Sequence, residues 1–347
     1  MSTGTQLRRW LDAMTGLLVL TLAAAGTSAA FAGTEVVPAG PLLSTGPIGY
    51  QFAVYLPEKS AASPMEALRQ ALKATAGAPA LAQKIDQAPA SPVVMATLNE
   101  QAATTYAPPD VSQIQRFGHG LSKEQAAALA RSRAALLMDF VHPSSQRIGA
   151  YRNSLLIAER VARATGGILW DEETREVFTP DAWRSRRIET WDRDIPDVSQ
   201  QIVVHAYLSD PQVRAISLGM GKFGAPDAVI ENFPWSSNAR MGNLINAMVQ
   251  LSAEGALAGA KGQFDLDFDA IRHARVRQSL KELLLPNAKA KAPLLLVKGT
   301  PRRVRLSPAR RVRKVGRQRD RKDHREDAMT DRHDDRAGHG APVSVGE

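Results

Sequence analysis

The sequence predicts an α+β fold, with helices packed on one side of a mainly antiparallel sheet and a disordered basic C-terminal tail. Three observations predict it. Helical and strand patterns alternate through the first part of the chain, two hairpin signals follow, and hairpins cannot supply the crossovers of a doubly wound parallel sheet. Hydrophobic residues make up 44% of the 347, enough for a substantial core, and cysteine is absent. A disulfide framework, a thiol nucleophile and a Cys-ligated metal centre are thereby excluded.

Taken in order, Arg8 and Arg9 precede an apolar run from Ala13 to Ala25, and Ala30-Phe31-Ala32 follows as an A-x-A site. A positive start, a short apolar stretch and small residues at the cleavage point predict a signal peptide over 1–32, cleaved after Ala32, and hence a periplasmic or secreted protein. Residues 33–49 are rich in Pro, Gly and small residues and read as a linker. The body then runs over 50–286, and any division into two sub-domains falls near 100–120. Tyr50 to Leu56 predicts a strand, Ser63-Pro64-Met65-Glu66 a capping box opening a helix to about Ala74, and Val93 to Leu98 a strand. Residues 104–110, with Pro108-Pro109, read as a loop. Ser122 and Gln125 form a second capping box before a helix to about Arg133, and Ala134 to Val141 is an apolar strand. Ile148, Leu155, Ile157 and Val161 give the helix over 146–165 one buried face, which Gly166-Gly167 ends.

The second half is patterned for hairpins. Ile168 to Trp170 and Glu176 to Phe178 flank the turn Asp171-Glu172-Glu173-Thr174, and Thr179-Pro180 opens a helix through Trp191. Gln201 to Leu208 alternates as a clean strand, with Ser209-Asp210-Pro211 turning it into a partner over 213–218. A strand over 228–233, a helix over 238–254, a final strand over 263–268 and a helix to about Leu285 complete the body.

Charge is unevenly distributed. The formal net charge is +9, yet residues 287–347 hold 17 Lys+Arg against 8 Asp+Glu, leaving 27 of each sign before them. The body is neutral, so its composition does not point to nucleic-acid recognition. The tail centres on Arg302, Arg303, Arg305, Arg310, Arg311, Arg313 and Lys314 and has too few apolar residues to offset chain entropy, which predicts disorder. Three readings of it stay open: a polyanion-binding segment for lipid head groups or other phosphate-rich polymers, a solvated extension, or a reading frame that changes near Gly299.

No complete catalytic constellation emerges. Gly219-Met220-Gly221-Lys222-Phe223-Gly224 matches G-x-G-x-x-G, but a strand rather than a helix follows it, so a dinucleotide site is rejected in favour of a turn, and no cofactor is expected. Asp265 and Asp267 in DLDFD are candidate metal ligands, although the Gly and Glu of a calcium loop are replaced by Ala270 and Val276. His119 and His205 are the candidate catalytic residues, since neither belongs to a known motif but each lies beside aromatic or Gly-rich sequence. Trp170, Trp183 and Trp191, with Arg184, Arg186 and Arg187 between them, could stack sugars, but core packing explains them better.

The stretches ILWDEETREVFTPDAW (168–183), GMGKFGAPDAVIENF (219–233) and MGNLINAMVQ (241–250) resemble the YegJ-like group of bacterial exported proteins. The resemblance implies an α+β domain and no known reaction, so it transfers no catalytic residue. Longer members of the group are expected to continue into another small domain, where this chain has its Arg-rich tail. The expectation is an exported binding or scaffold protein of the cell envelope without catalysis; the alternative is a metal-dependent hydrolase with dispersed ligands.

Overall fold

Strand β1 (Ile48–Leu56) is apolar on both sides of its pleat apart from Gln51, which predisposes it to the middle of a sheet covered on both faces. The computed structural model describes residues 43–85, 88–209, 212–258 and 266–285. The predicted signal peptide and its cleavage site, the Arg-rich tail with its seven polyanion-binding candidates, and Asp265 lie outside the described residues. The fold is α+β.

Element order after β1 is α1 (Pro64–Lys73), β2 (Ala80–Leu81), β3 (Val93–Asn99), α2 (Ala102–Thr105), α3 (Val111–Phe117), β4 (Gly118–His119), α4 (Lys123–Ala130), β5 (Ala134–His142), α5 (Arg147–Thr165), β6 (Ile168–Asp171), β7 (Glu176–Phe178) and α6 (Pro180–Trp183). Strands β8 (Val203–Ser209), β9 (Gln212–Leu218) and β10 (Val229–Phe233) follow, then α7 (Asn238–Glu254) and α8 (Ala274–Leu284). Seven strands form one sheet in the order β2-β3-β5-β1-β6-β7-β4, and three form a second in the order β10-β9-β8. Only the outermost pairs of the large sheet, β2–β3 and β4–β7, are parallel.

Alternation sorts the large sheet into two cores. Tyr50, Phe52 and Val54 of β1, Leu136, Met138 and Phe140 of β5, Leu169 of β6 and Phe178 of β7 share a core with Tyr151, Leu155 and Ala158 of α5. Their neighbours on the other side, Ala53, Tyr55, Ala135, Trp170 and Val177, pack against Ala102, Ile114 and Leu129 from α2, α3 and α4. Helices therefore cover both faces of the large sheet, not one. The small sheet adds Val213, Ala215 and Ile230 to the larger core, beside Leu244, Ile245 and Met248 of α7.

Several boundaries differ from expectation for identifiable reasons. The stretch read as linker joins the fold before Gly49: Ser44 donates its N–H to the Gly224 carbonyl at 2.7 Å, and β1 begins at Ile48. Ser63 occupies the N-cap of α1, but its side chain makes no capping bond, leaving Pro64 as the start signal. Residues 102–117, expected in part as loop, hold α2 and α3; Asp110 and Gln113 cap α3 reciprocally. The helix expected through Trp191 widens into a π turn over Arg184–Ile188 and ends there. The final strand is not formed in its described part, where Leu266 and Asp267 lead into a 3₁₀ turn at Phe268–Ala270 capped by the Asp267 carboxylate.

The Gly-rich motif is a turn between β9 and β10, as expected, with a 3₁₀ segment at Met220–Phe223. Its outer glycines are obligatory. Gly219 has φ +112° and Gly224 φ +67°, and a Cβ on Gly224 would lie 2.5 Å from Ile48 Cδ1. Gly224→Ala should therefore lower stability by about 1–3 kcal/mol in urea unfolding. Gly242→Ala, in the interior of α7 with open space around it, should raise stability by about 0.5–1 kcal/mol.

Candidate functional site

The hairpin register sets up the polar centre of the molecule. Asp171 and Glu176 are directly opposed across β6 and β7, on the same face as Leu169 and Phe178, so two carboxylates point into the larger core. Both are buried, and like charges opposite one another would destabilise the pair. Two cations from elsewhere in the chain resolve this. Arg187, wholly buried in the π turn, places Nη2 at 2.6 Å from Glu176 Oε2 and 3.1 Å from Asp171 Oδ2. Lys222, wholly buried in the Gly-flanked turn, donates to the same Asp171 Oδ2 at 2.5 Å.

The remaining polar atoms are largely matched. Lys222 Nζ donates to the Gln201 carbonyl at 2.7 Å and Arg187 Nη1 to the Gln200 carbonyl at 2.6 Å, so one 3₁₀ turn over Val198–Gln200 and its C-cap receive both cations. The Gln201 side chain accepts from the Tyr151 hydroxyl and donates to the Arg187 carbonyl. Asp171 Oδ1 accepts the N–H groups of Glu173 and Thr174, fixing the hairpin turn. The guanidinium of Arg187 lies 4.9 Å from the Phe178 ring centre and 5.9 Å from that of Trp183, and its Nε is buried without a partner. Burial works to raise the Glu176 carboxyl, but Arg187 and then His119 outweigh it and hold the group at about 2. Burial lowers the Lys222 ammonium, with Asp171 opposing the shift.

His119 sits at the rim of this network. Its Nε2 lies 2.8 Å from Glu176 Oε1, its Nδ1 accepts from Arg186 at 2.7 Å, and its ring stacks on Phe178 at 4.7 Å. The Arg186 donor requires a lone pair on Nδ1, so the proton belongs on Nε2, facing Glu176. Both ring nitrogens are thus engaged. His205, on β8, packs against two rings, Phe117 at 5.4 Å and Tyr207 at 6.0 Å. Phe117 precedes His119 by two residues, so the two candidate histidines flank one segment without sharing a polar contact.

Asp267 is occupied as a cap, accepting the N–H of Asp269 at 2.9 Å. Among the described residues, no three His, Asp or Glu side chains converge as a metal group. The other body histidines are structural. His142 is buried, its Nδ1 donating to the Pro143 carbonyl, and His273 caps α8 through Nδ1 while its Nε2 donates to Thr190. The tryptophans of the aromatic–arginine unit and Arg187 belong to the core, whereas Arg184 and Arg186 are partly exposed. Trp170, Trp183 and Trp191 are buried, and Arg184 forms a two-pronged bond to buried Glu159 of α5 at 2.8 Å on each oxygen.

No sequence motif announces the network. Its signal is present: Asp171 and Glu176 interrupt the inward alternation at Leu169 and Phe178, and the only lysine of the turn lies between glycines. Comparison with protein-family models, curated proteins and solved structures returns no match. No helix among the described residues is long and apolar enough to cross a membrane.

Removing one member of a buried ion cluster strands the others. Lys222→Met should cost about 3–5 kcal/mol in urea unfolding, and a double-mutant cycle with Asp171→Asn should show coupling well above 1 kcal/mol. The Glu176 carboxyl is lower in the folded than in the unfolded chain. Its contribution is therefore complete above pH 4.5 and lost as pH falls from 4.5 toward 2. About 3 kcal/mol should disappear across that window, and Glu176→Gln should flatten this limb of the stability–pH curve.

Proposed function

We propose that the chain is a non-catalytic binding or scaffold protein of the cell envelope. The observation that carries this reading is the pairing of its chemistry-bearing side chains with one another. Asp171, Glu176, Arg187 and Lys222 are buried and mutually bonded, and both nitrogens of His119 are engaged. A general acid or base needs a proton affinity near the working pH and access to substrate. Glu176 meets neither condition, because its carboxyl is held at about 2 and is buried.

The amino-terminal pattern of Arg8-Arg9, an apolar run and Ala30-Phe31-Ala32 supports export, and the resemblance to YegJ-like exported proteins belongs to the same reading. The tail supplies an anionic partner class. Its balance of 17 basic against 8 acidic residues favours phosphate-rich polymers or anionic lipid surfaces over a neutral ligand.

The purified protein should show no turnover above buffer with a panel of ester, phosphoester, glycoside and peptide substrates. Turnover abolished by His119→Ala or His205→Ala, with the fold intact, would overturn the reading. Binding to anionic vesicles or DNA should weaken steeply with salt and vanish on deletion of 299–347. Binding unchanged by that deletion would remove the tail from the proposal.

A further inference from the structure

Edge strands expose unpaired N–H and C=O groups, and proteins protect them by shortness, charge, bulges or proline. At the edges of the large sheet, β2 and β4 are two residues long each. At one edge of the small sheet, β10 carries Glu231, breaks register between Ile230 and Phe233, holds Asn232 at φ +61°, and is followed directly by Pro234. The opposite edge is different. β8 is seven residues, Val-Val-His-Ala-Tyr-Leu-Ser, with neither a charge nor a proline and with an unbroken ladder to β9. Tyr207 is 51% exposed and Leu208 74%, on opposite faces of the strand.

Backbone polarity along β8 follows from its neighbour. Ser217 donates its N–H to the Ala228 carbonyl on the β10 side, so odd-numbered residues of β9 face β10 and even-numbered ones face β8. Pairing of His205 with Ile216 and Tyr207 with Arg214 therefore uses the inward groups of β8. Val204, Ala206 and Leu208 turn theirs to the open edge, where no backbone group among the described residues meets them.

We propose that the protein self-associates through β8, with two copies pairing antiparallel about a two-fold axis at Ala206. That register is self-complementary. Ala206 faces its own copy across the axis as a hydrogen-bonded pair, with a small side chain where the two strands meet. Val204 lies opposite Leu208 of the second copy, covering the most exposed large apolar residue of the body among those described. His205 lies opposite Tyr207 of the second copy, extending the His205–Tyr207 stack already present within each chain. Absence of charge on β8 lets two copies meet without repulsion, and joining the small sheets makes one continuous six-stranded sheet.

The native chain contains no cysteine, so one introduced thiol reports cleanly. Cα atoms of a hydrogen-bonded antiparallel pair are about 5.5 Å apart, within disulfide reach. With protein purified after expression of the full chain, sedimentation velocity over a wide dilution series should show a reversible dimer. Mild oxidation should link Ala206→Cys into a covalent dimer, and Lys123→Cys on α4 should stay unlinked. Leu208→Glu, at a side chain mostly in water, should keep the native circular dichroism and weaken the dimer roughly tenfold or more. A monomer at every concentration overturns the proposal. So does a dimer that Leu208→Glu leaves intact while Ala206→Cys fails to cross-link. A monomer whose β8 amides resist hydrogen exchange also overturns it, by placing a segment of the same chain on the edge.

Discussion

The arrangement on which the structure depends is the pair of carboxylates that the β6–β7 hairpin directs into its own hydrophobic core. Asp171 and Glu176 face each other because the register of that hairpin leaves them no alternative. Unneutralised, they would resist burial and repel one another. The chain brings Arg187 from a π turn sixteen residues beyond Asp171 and Lys222 from a turn fifty-one residues beyond it, and both converge on one oxygen, Asp171 Oδ2. A buried ion cluster is seldom more stabilising than well-packed apolar groups of the same volume. Its effect is on alternatives: any packing that displaces the hairpin, the π turn or the β9–β10 turn leaves a charge stranded in the core. The network therefore ties the large sheet to the segment that feeds the small one.

This explains a run of local oddities that otherwise look unrelated. The Gly-rich turn resembles a nucleotide loop because it too must bring backbone close to a charged group; the group here is the chain's own Lys222. Gly219 is required because a Cβ there would lie 2.9 Å from Thr174 Cγ2, and Thr174 is itself a ligand of Arg187. The three tryptophans and their arginines are another case. Trp183 and Phe178 supply π faces to Arg187, and Arg184 with Arg163 neutralises Glu159 on α5. Aromatic faces next to cations are here an internal solvent for charge rather than a surface for ligand.

Most of the fold was legible because hydrophobic period and caps speak directly about local structure. The strands at 50–56, 93–98 and 134–141 and the helices at 146–165 and 238–254 lie within a residue or two of their expected bounds. The misses have physical causes. Residues 102–117 form short helices of four and seven residues, too brief for a periodic signal, though the Asp110–Gln113 capping box marked the second. The strand expected at 263–268 rested on alternation of Asp with Leu and Phe, but Asp267 folds back to cap the next turn, and that local bond competes with a ladder. Helices on both faces of the large sheet were hidden because Ala53, Tyr55, Ala135 and Val177 are spread over strands whose pairing only the fold reveals. The ion network was hidden for the same reason: its four charges come from three segments, and nothing in sequence spacing joins Asp171 to Lys222.

A consequence for function follows from where polar chemistry has gone. Reactive side chains are useful when a lone pair or proton is left free at a place that substrate can reach. Among the described residues, Asp171, Glu176, Arg187 and Lys222 are matched inside, and His119, more exposed than these four, has Glu176 on one nitrogen and Arg186 on the other. The open edge of β8 is of another kind: among the described residues no backbone group meets its outward-turned N–H and C=O groups, and the exposed apolar side chains Tyr207 and Leu208 lie beside them. Such groups perform no chemistry on a small molecule. In the proposed dimer they are completed by β8 of the second copy, so the small sheet carries the association while the ion network sits in the core of the large sheet.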